Sequence, residues 1–328
     1  MKFINLKNNN LDPYKLRNKN FFKGIFQDRI NNFKALSELI NKKKTKKCPI
    51  CKSIKINYNF LNITNKYKLQ KCLNCNLVFP NTKFLTDKNY TSKVYSNYSK
   101  QNHRKVLFST KNYRKSTFIK ERFDYCIKKL FKNNRKINVL EYGCGFGLFL
   151  DMLKKNKIKC KGLEVDKHQI EIAKKRGLNV SDNSIFEEKN NSYNLCVMFD
   201  VLEHLTNPIN ELREINKKIK KNGFVICYSP NIFSLAFELM GKNQNQVYPF
   251  EHLFFFSKKS LNILAKKTGF KLVKFETYGL DLIDFFLFKE FEDKKNYVKK
   301  LKNFINLVQP IIDKSGYANH FRATFQKI

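Results

Sequence analysis

A chain of 328 residues with 42% apolar content is long enough for one large domain and a small one. It has no apolar run approaching the roughly 18 residues of a membrane-spanning helix and no apolar leader in Met1–Asn8, so it reads as a soluble, cytoplasmic protein. The 65 Lys and Arg against 27 Asp and Glu give a formal charge of +38, which invites a nucleic-acid partner. Only nine of the 65 are Arg, however, and Arg is the preferred reader of phosphates and base edges. The nucleic-acid reading is therefore not favoured, and the charge is read as lysine on solvated faces that still steers anionic small molecules.

Residues 1–44 form a basic arm. Within it Phe22, Ile25, Phe26, Ile30, Phe33, Leu36 and Ile40 recur at helical spacing, which predicts a docking helix, with a membrane-surface helix as the lesser alternative. Residues 45–80 carry Cys48-Pro-Ile-Cys51 and Cys72-Leu-Asn-Cys75. Two C-x-x-C pairs at this separation can turn four thiolates onto one tetrahedral ion, so Cys48, Cys51, Cys72 and Cys75 are predicted to hold a structural Zn2+ in a zinc ribbon. Disulfides are the alternative. The other five cysteines read as small buried residues. Residues 81–135 read as a helical linker, with Tyr90, Tyr95 and Tyr98 interleaved with Lys and helices over 103–133.

From Lys136 onward strands and helices alternate. Strands are predicted over 137–141, 159–164, 178–180, 193–199, 223–228 and 271–277, with helices over 147–156, 167–176, 208–221 and 258–268. The closing stretch, residues 320–327, alternates as a last antiparallel strand. Residues 280–312 form an aromatic-rich helical insertion that could wall a pocket. The predicted fold class is α/β: a Rossmann-like, seven-stranded, mostly parallel sheet in residues 136–328, preceded by the small ribbon domain.

The first of these strands ends in Glu141-Tyr-Gly143-Cys-Gly145-Phe-Gly147. The spacing G-x-G-x-G departs from the G-x-G-x-x-G of dinucleotide sites. A carboxylate at the turn repels a pyrophosphate but suits a positively charged nucleoside such as S-adenosylmethionine (SAM), which carries an ammonium and a sulfonium. Glu164 ends the next strand about 20 residues on, where a carboxylate can grip ribose hydroxyls.

These residues resemble the class I SAM-dependent methyltransferases. Glu141-x-Gly143-x-Gly145-x-Gly147 is similar to their first motif and Gly162-Leu-Glu164-Val-Asp166 to their second. Phe199-Asp200-Val-Leu-Glu203-His204-Leu205 followed by Asn207-Pro208, Gly223–Asn231 and Glu251-His252-Leu-Phe-Phe-Phe-Ser257 are similar to later segments of the branch that methylates small molecules. The resemblance implies that SAM is held by Glu141, Gly143, Gly145, Gly147, Glu164 and Asp200. Asp182 is a looser candidate for the adenine amine. It also implies a cap over SAM in residues 81–101.

For a hydroxyl or carbon acceptor a base is needed, and His204 is the first candidate, because imidazole titrates near neutrality. His252 is the second and Glu203 the third. Each could equally be a structural residue. No Asn/Asp-Pro-Pro-Tyr motif of amino methylation occurs. The expected function is methyl transfer to a small molecule: a sugar or nucleotide sugar by preference, or a lipid or quinone-like metabolite. The alternatives are an rRNA or tRNA methyltransferase whose ribbon and basic arm hold RNA, and a non-catalytic zinc-ribbon adaptor. The oligomeric state is not legible in the sequence.

Overall fold

The computed structural model describes residues 12–17, 20–36, 40–64, 66–84 and 109–328. They fall into two compact units. One comprises Met1–Thr110, Ser229–Ser260 and Glu276–Arg322; the other comprises Lys111–Tyr228, Leu261–Phe275 and Ala323–Ile328.

In the first unit the helix Phe21–Leu36 is amphipathic. Phe22 is buried, with its ring 5.4 Å from that of Phe288, and the Phe26 ring lies 5.7 Å from Phe291. Both partners belong to the helix Asp281–Asp293, the first of three in the predicted insertion; Tyr297–Lys300 and Lys302–Ser315 follow. The docking helix therefore packs on the insertion through one apolar cluster with Leu287, Ile305 and Ile312. Two residues of the expected stripe depart from it. Ile30 is 50% exposed, and Ile40 opens a strand rather than continuing the helix, β1 (Ile40–Lys44).

The ribbon follows as three antiparallel strands, β2 (Ile56–Asn62), β3 (Lys68–Cys72) and β4 (Val78–Pro80). β5 (Thr82–Phe84) pairs with β1, so the stretch that opens at Ile40 joins a two-stranded sheet. Val78 exchanges both backbone hydrogen bonds with Phe255, and the Ser257 hydroxyl donates to the Cys75 carbonyl at 2.7 Å. These bonds tie the ribbon to the segment Glu251–Ser257.

The second unit is framed by a seven-stranded sheet: β6 (Asn138–Tyr142), β7 (Lys159–Leu163), β8 (Val180–Ser181), β9 (Tyr193–Phe199), β10 (Ile219–Pro230), β11 (Phe270–Tyr278) and β12 (His320–Lys327). Their order across the sheet is β11-β12-β10-β9-β6-β7-β8, mostly parallel, with the last strand antiparallel. Leu140, Val139, Leu195, Cys196 and Val197 are buried, as expected of central strands covered on both faces by helices. The helix Pro208–Lys218 stops three residues short of its predicted end, because Ile219 turns extended and pairs with Tyr193. The order reverses between β6 and its two parallel neighbours, β7 and β9. At such a switch point the loops leaving the strand ends diverge and open a crevice for ligands. Among the described residues no helix is long and apolar enough to cross a membrane.

Candidate cofactor site and thiolate cluster

The glycine loop connects β6 to the helix Leu148–Lys155 at that reversal. Gly143, Gly145 and Gly147 have φ of +74°, +54° and +71°, all in the left-handed region that side chains avoid. A Cβ on Gly143 would lie 2.5 Å from Val201 Cγ2, and one on Gly147 would lie 2.5 Å from Leu178 Cδ1. The chain's own packing therefore requires glycine at these two positions. The loop is tied to the end of β7 by bonds from the N–H groups of Gly143 and Cys144 to the Leu163 carbonyl.

Glu164 completes that tie. Its Oε2 accepts the N–H of Gly145 at 2.7 Å, and its Oε1 accepts those of Val165 and Asp166 at 2.8 and 2.9 Å. Both oxygens already serve the backbone, and burial pushes the carboxyl up while these bonds pull it down. Asp166 caps the helix Lys167–Lys175.

Glu141 lies at the end of β6, 4% exposed, and its Oε2 is a buried acceptor with no hydrogen-bond partner. Burial pushes its carboxyl from 4.5 to about 8, against the pull of the nearby Arg122 cation. An orphaned carboxylate oxygen beside the glycine loop is costly unless a donor meets it. It fits a nucleoside hydroxyl or a cationic group.

At the end of β9, Asp200 has φ +59°, and its N–H donates to the Tyr228 carbonyl. A non-glycine residue in this conformation is uncommon and concentrates at functional turns. Its Oδ2 accepts from Arg122 Nη2 at 3.1 Å, and its side chain is 45% exposed. The Arg122 guanidinium lies 4.4 Å from the Phe199 ring centroid and 5.1 Å from that of Tyr228, whose hydroxyl donates to Glu121. Arg122 was not anticipated. It sits within the predicted linker helices, here a run of α- and π-turns over Lys111–Lys129, and nothing in the sequence around it marks it except the scarcity of Arg.

Glu203 is fully buried and His204 half-buried on the short turn Leu202–His204 after β9. Asp182 is exposed just beyond β8. His252 belongs to the other unit. Its Nδ1 donates to the Gln246 carbonyl at 2.7 Å, so in the neutral ring the lone pair is on Nε2. It follows Phe250, a fully buried residue at φ +68° that packs on Tyr67 and Phe33. The proposed cap lies, from residue 85 to 101, outside the described residues.

The four ribbon cysteines converge, with all their sulfurs within 4.8 Å of one another and the pairs Cys48–Cys75 and Cys51–Cys72 at 3.5 Å. The two knuckles are built alike. Lys52 and Asn76, both at positive φ, donate to the carbonyls of Cys48 and Cys72; the N–H groups of Cys48 and Cys72 donate to Ser53 and Leu77. All four thiols are free, and 3.5 Å is far beyond a disulfide bond. Four thiolates at about 2.3 Å from one ion would stand about 3.8 Å apart, close to what is found. The donor set and its geometry fit a tetrahedral zinc. Of the other cysteines, Cys126, Cys144, Cys196 and Cys227 are buried, as expected, whereas Cys160 is only half-buried.

Residues 113–274 match the family model described as a methyltransferase domain. Among curated proteins, a ubiquinone biosynthesis O-methyltransferase of Aliivibrio fischeri is 26% identical over 117 residues, which covers 32% of this chain and 50% of the relative. One of Pelagibacter ubique is 25% identical over 136 residues, covering 38% and 56%. The chain thus spans about half the length of the curated relatives it matches. Among solved structures, a SAM-dependent methyltransferase of Thermotoga maritima, described as a possible histamine N-methyltransferase, aligns with TM-score 0.48 at 21% identity, over 70% of this chain and 97% of its own. One of Archaeoglobus fulgidus aligns with TM-score 0.46 at 19% identity, over 63% and 94%. With the sheet order, the glycine loop and the family match in agreement, residues 113–274 are a methyltransferase domain of the class I, SAM-dependent family.

Proposed function

We propose that the protein methylates an oxygen of a small, quinone-like or phenolic acceptor, with SAM as donor. The observation that carries the cofactor assignment is the orphaned Oε2 of Glu141 beside three left-handed glycines at the switch point. Glu141 is assigned to the cationic nucleoside, with Asp200 and Arg122 at the opposite charges of the methionyl end: the Asp200 carboxylate toward an ammonium and the Arg122 guanidinium toward a carboxylate. Glu164 positions the loop through Gly145 and keeps spare lone pairs for a hydroxyl. Asp182 remains the candidate for the adenine amine. When bound, SAM supplies a methyl group already activated on a cationic sulfur.

The chain must then orient the acceptor oxygen, exclude water and take a proton. His204 is assigned the proton, because neutral imidazole is available near pH 7 and the residue directly follows the β9 turn. His252, with Nδ1 fixed by Gln246, is the second candidate; Glu203 is the third. The relatives' name favours a ring hydroxyl over the sugar expected from sequence.

The ribbon is proposed to hold a structural Zn2+ through Cys48, Cys51, Cys72 and Cys75. Four protein ligands leave no open position for chemistry.

Incubating the purified protein with SAM and a panel of catechols, hydroquinones and nucleotide sugars, and following S-adenosylhomocysteine (SAH) formation, tests the acceptor assignment. Turnover on ring hydroxyls supports it, and turnover only on sugars refutes it.

A further inference from the structure

One face of the insertion has no role in the chemistry above. The helix Lys302–Ser315 buries Ile305, Gln309 and Ile312 in the apolar cluster of its own unit. On another face it leaves Phe304, Leu307 and Ile311 exposed at 48%, 71% and 60%. Their spacing of three and four residues places them in one stripe. Lys314, three residues past Ile311, is exposed beside the stripe at one end, and Lys299, Lys300 and Lys302 are exposed where the chain enters the helix at the other. The only acid in the helix is Asp313, which lies away from the stripe, accepts from Gln309 and is pushed up to about 7 by burial. The surface is thus apolar along its length with lysines at both ends, and large exposed apolar residues grouped in this way mark a binding surface.

We propose that this stripe docks the protein on an anionic phospholipid surface, the helix lying in the headgroup plane with Phe304, Leu307 and Ile311 inserted. A second copy of the chain suits the face less well. In a two-fold interface the same lysines would face each other in a protein already at +38, and three side chains fall short of the roughly 800 Å² per partner of a standard interface. An anionic bilayer neutralises the lysines and takes up the apolar stripe. RNA would meet the lysines but gains nothing from the stripe. The inference does not depend on the acceptor proposed above.

The chain contains no Trp, so Leu307→Trp introduces a single reporter at the middle of the stripe. Its emission should shift to the blue with vesicles of phosphatidylglycerol and phosphatidylcholine and stay unchanged with phosphatidylcholine alone. In flotation with the anionic vesicles, Leu307→Asp and Ile311→Asp should each weaken binding by about tenfold, the scale of losing one inserted aliphatic side chain. Both positions are largely exposed, so thermal melts should match the parent. Lys300→Gln with Lys302→Gln should weaken binding while leaving the stripe intact. The proposal is overturned if the parent fails to float, if the aspartate variants float as well as the parent, so that charge alone suffices, or if they instead dissolve a dimer seen by sedimentation without changing flotation.

Discussion

The N–H of Gly145 donates to Oε2 of Glu164 at 2.7 Å, while the other oxygen of that carboxylate holds the N–H groups of Val165 and Asp166. One side chain thereby fixes the glycine loop to the end of the neighbouring strand. Glu164→Ala leaves three backbone donors without this acceptor in a nearly buried place and should destabilise the protein by about 2–4 kcal/mol in urea unfolding. Glu164→Gln keeps one acceptor oxygen and should fall between. Equal stability of Glu164→Ala and the parent would contradict this role.

Glu141 predicts a pH dependence. Its folded carboxyl titrates at about 8 against 4.5 when exposed. Between these values the folded chain holds a proton that the unfolded chain has released, so this contribution is fully present below 4.5 and is lost as pH rises through 8. Asp313, pushed up to about 7, slopes the same way, so the test is the difference from Glu141→Gln. The parent's denaturation midpoint should fall more steeply from acid to mildly alkaline pH than the variant's in the ligand-free protein. Parallel curves would place Glu141 in a more polar setting than the one described.

Asp200 separates conformation from charge. Its φ of +59° is tolerated by Asn and costs Ala about 1 kcal/mol. Asp200→Asn should therefore keep the parent's melting temperature yet weaken SAM binding about tenfold, because it removes the charge proposed to meet the methionyl ammonium. Unchanged affinity in Asp200→Asn would move the methionyl end elsewhere.

The thiolate cluster predicts one zinc per chain by elemental analysis and a tetrahedral thiolate spectrum after cobalt exchange. Cys72→Ser or chelation should loosen the ribbon, and through Val78–Phe255 and Ser257–Cys75 it should also raise amide exchange across residues 251–257. Full protection there in the metal-free protein would argue against the coupling.

Much of this was legible because the chemistry is local. The glycine spacing marks where the backbone is free to turn left-handed, and two C-x-x-C knuckles close on themselves by bonds four and five residues long. Ile40 shows where periodicity fails: a residue four past Leu36 satisfies a helical stripe and the start of a strand equally, and its pairing with Phe84 is non-local. The helix predicted to 221 ends at Lys218 for the same reason, since the pairing of Ile219 with Tyr193 overrides helical propensity. Arg122 was invisible because a cation's partners, here Asp200, Phe199 and Tyr228, lie 77 to 106 residues away in sequence and meet it only in the folded unit. Glu164 stood out in the sequence as a candidate acid after a strand, but its commitment to three backbone N–H groups was not legible there.

Calorimetric titration of the purified protein with SAH tests the central claim most directly, since the product needs no acceptor and does not react. Saturable binding of one SAH per chain, abolished by Gly147→Val and strongly weakened by Glu141→Ala in protein that still melts cooperatively, is the expected result. A folded protein that takes up neither SAH nor SAM at saturating concentration would contradict the account.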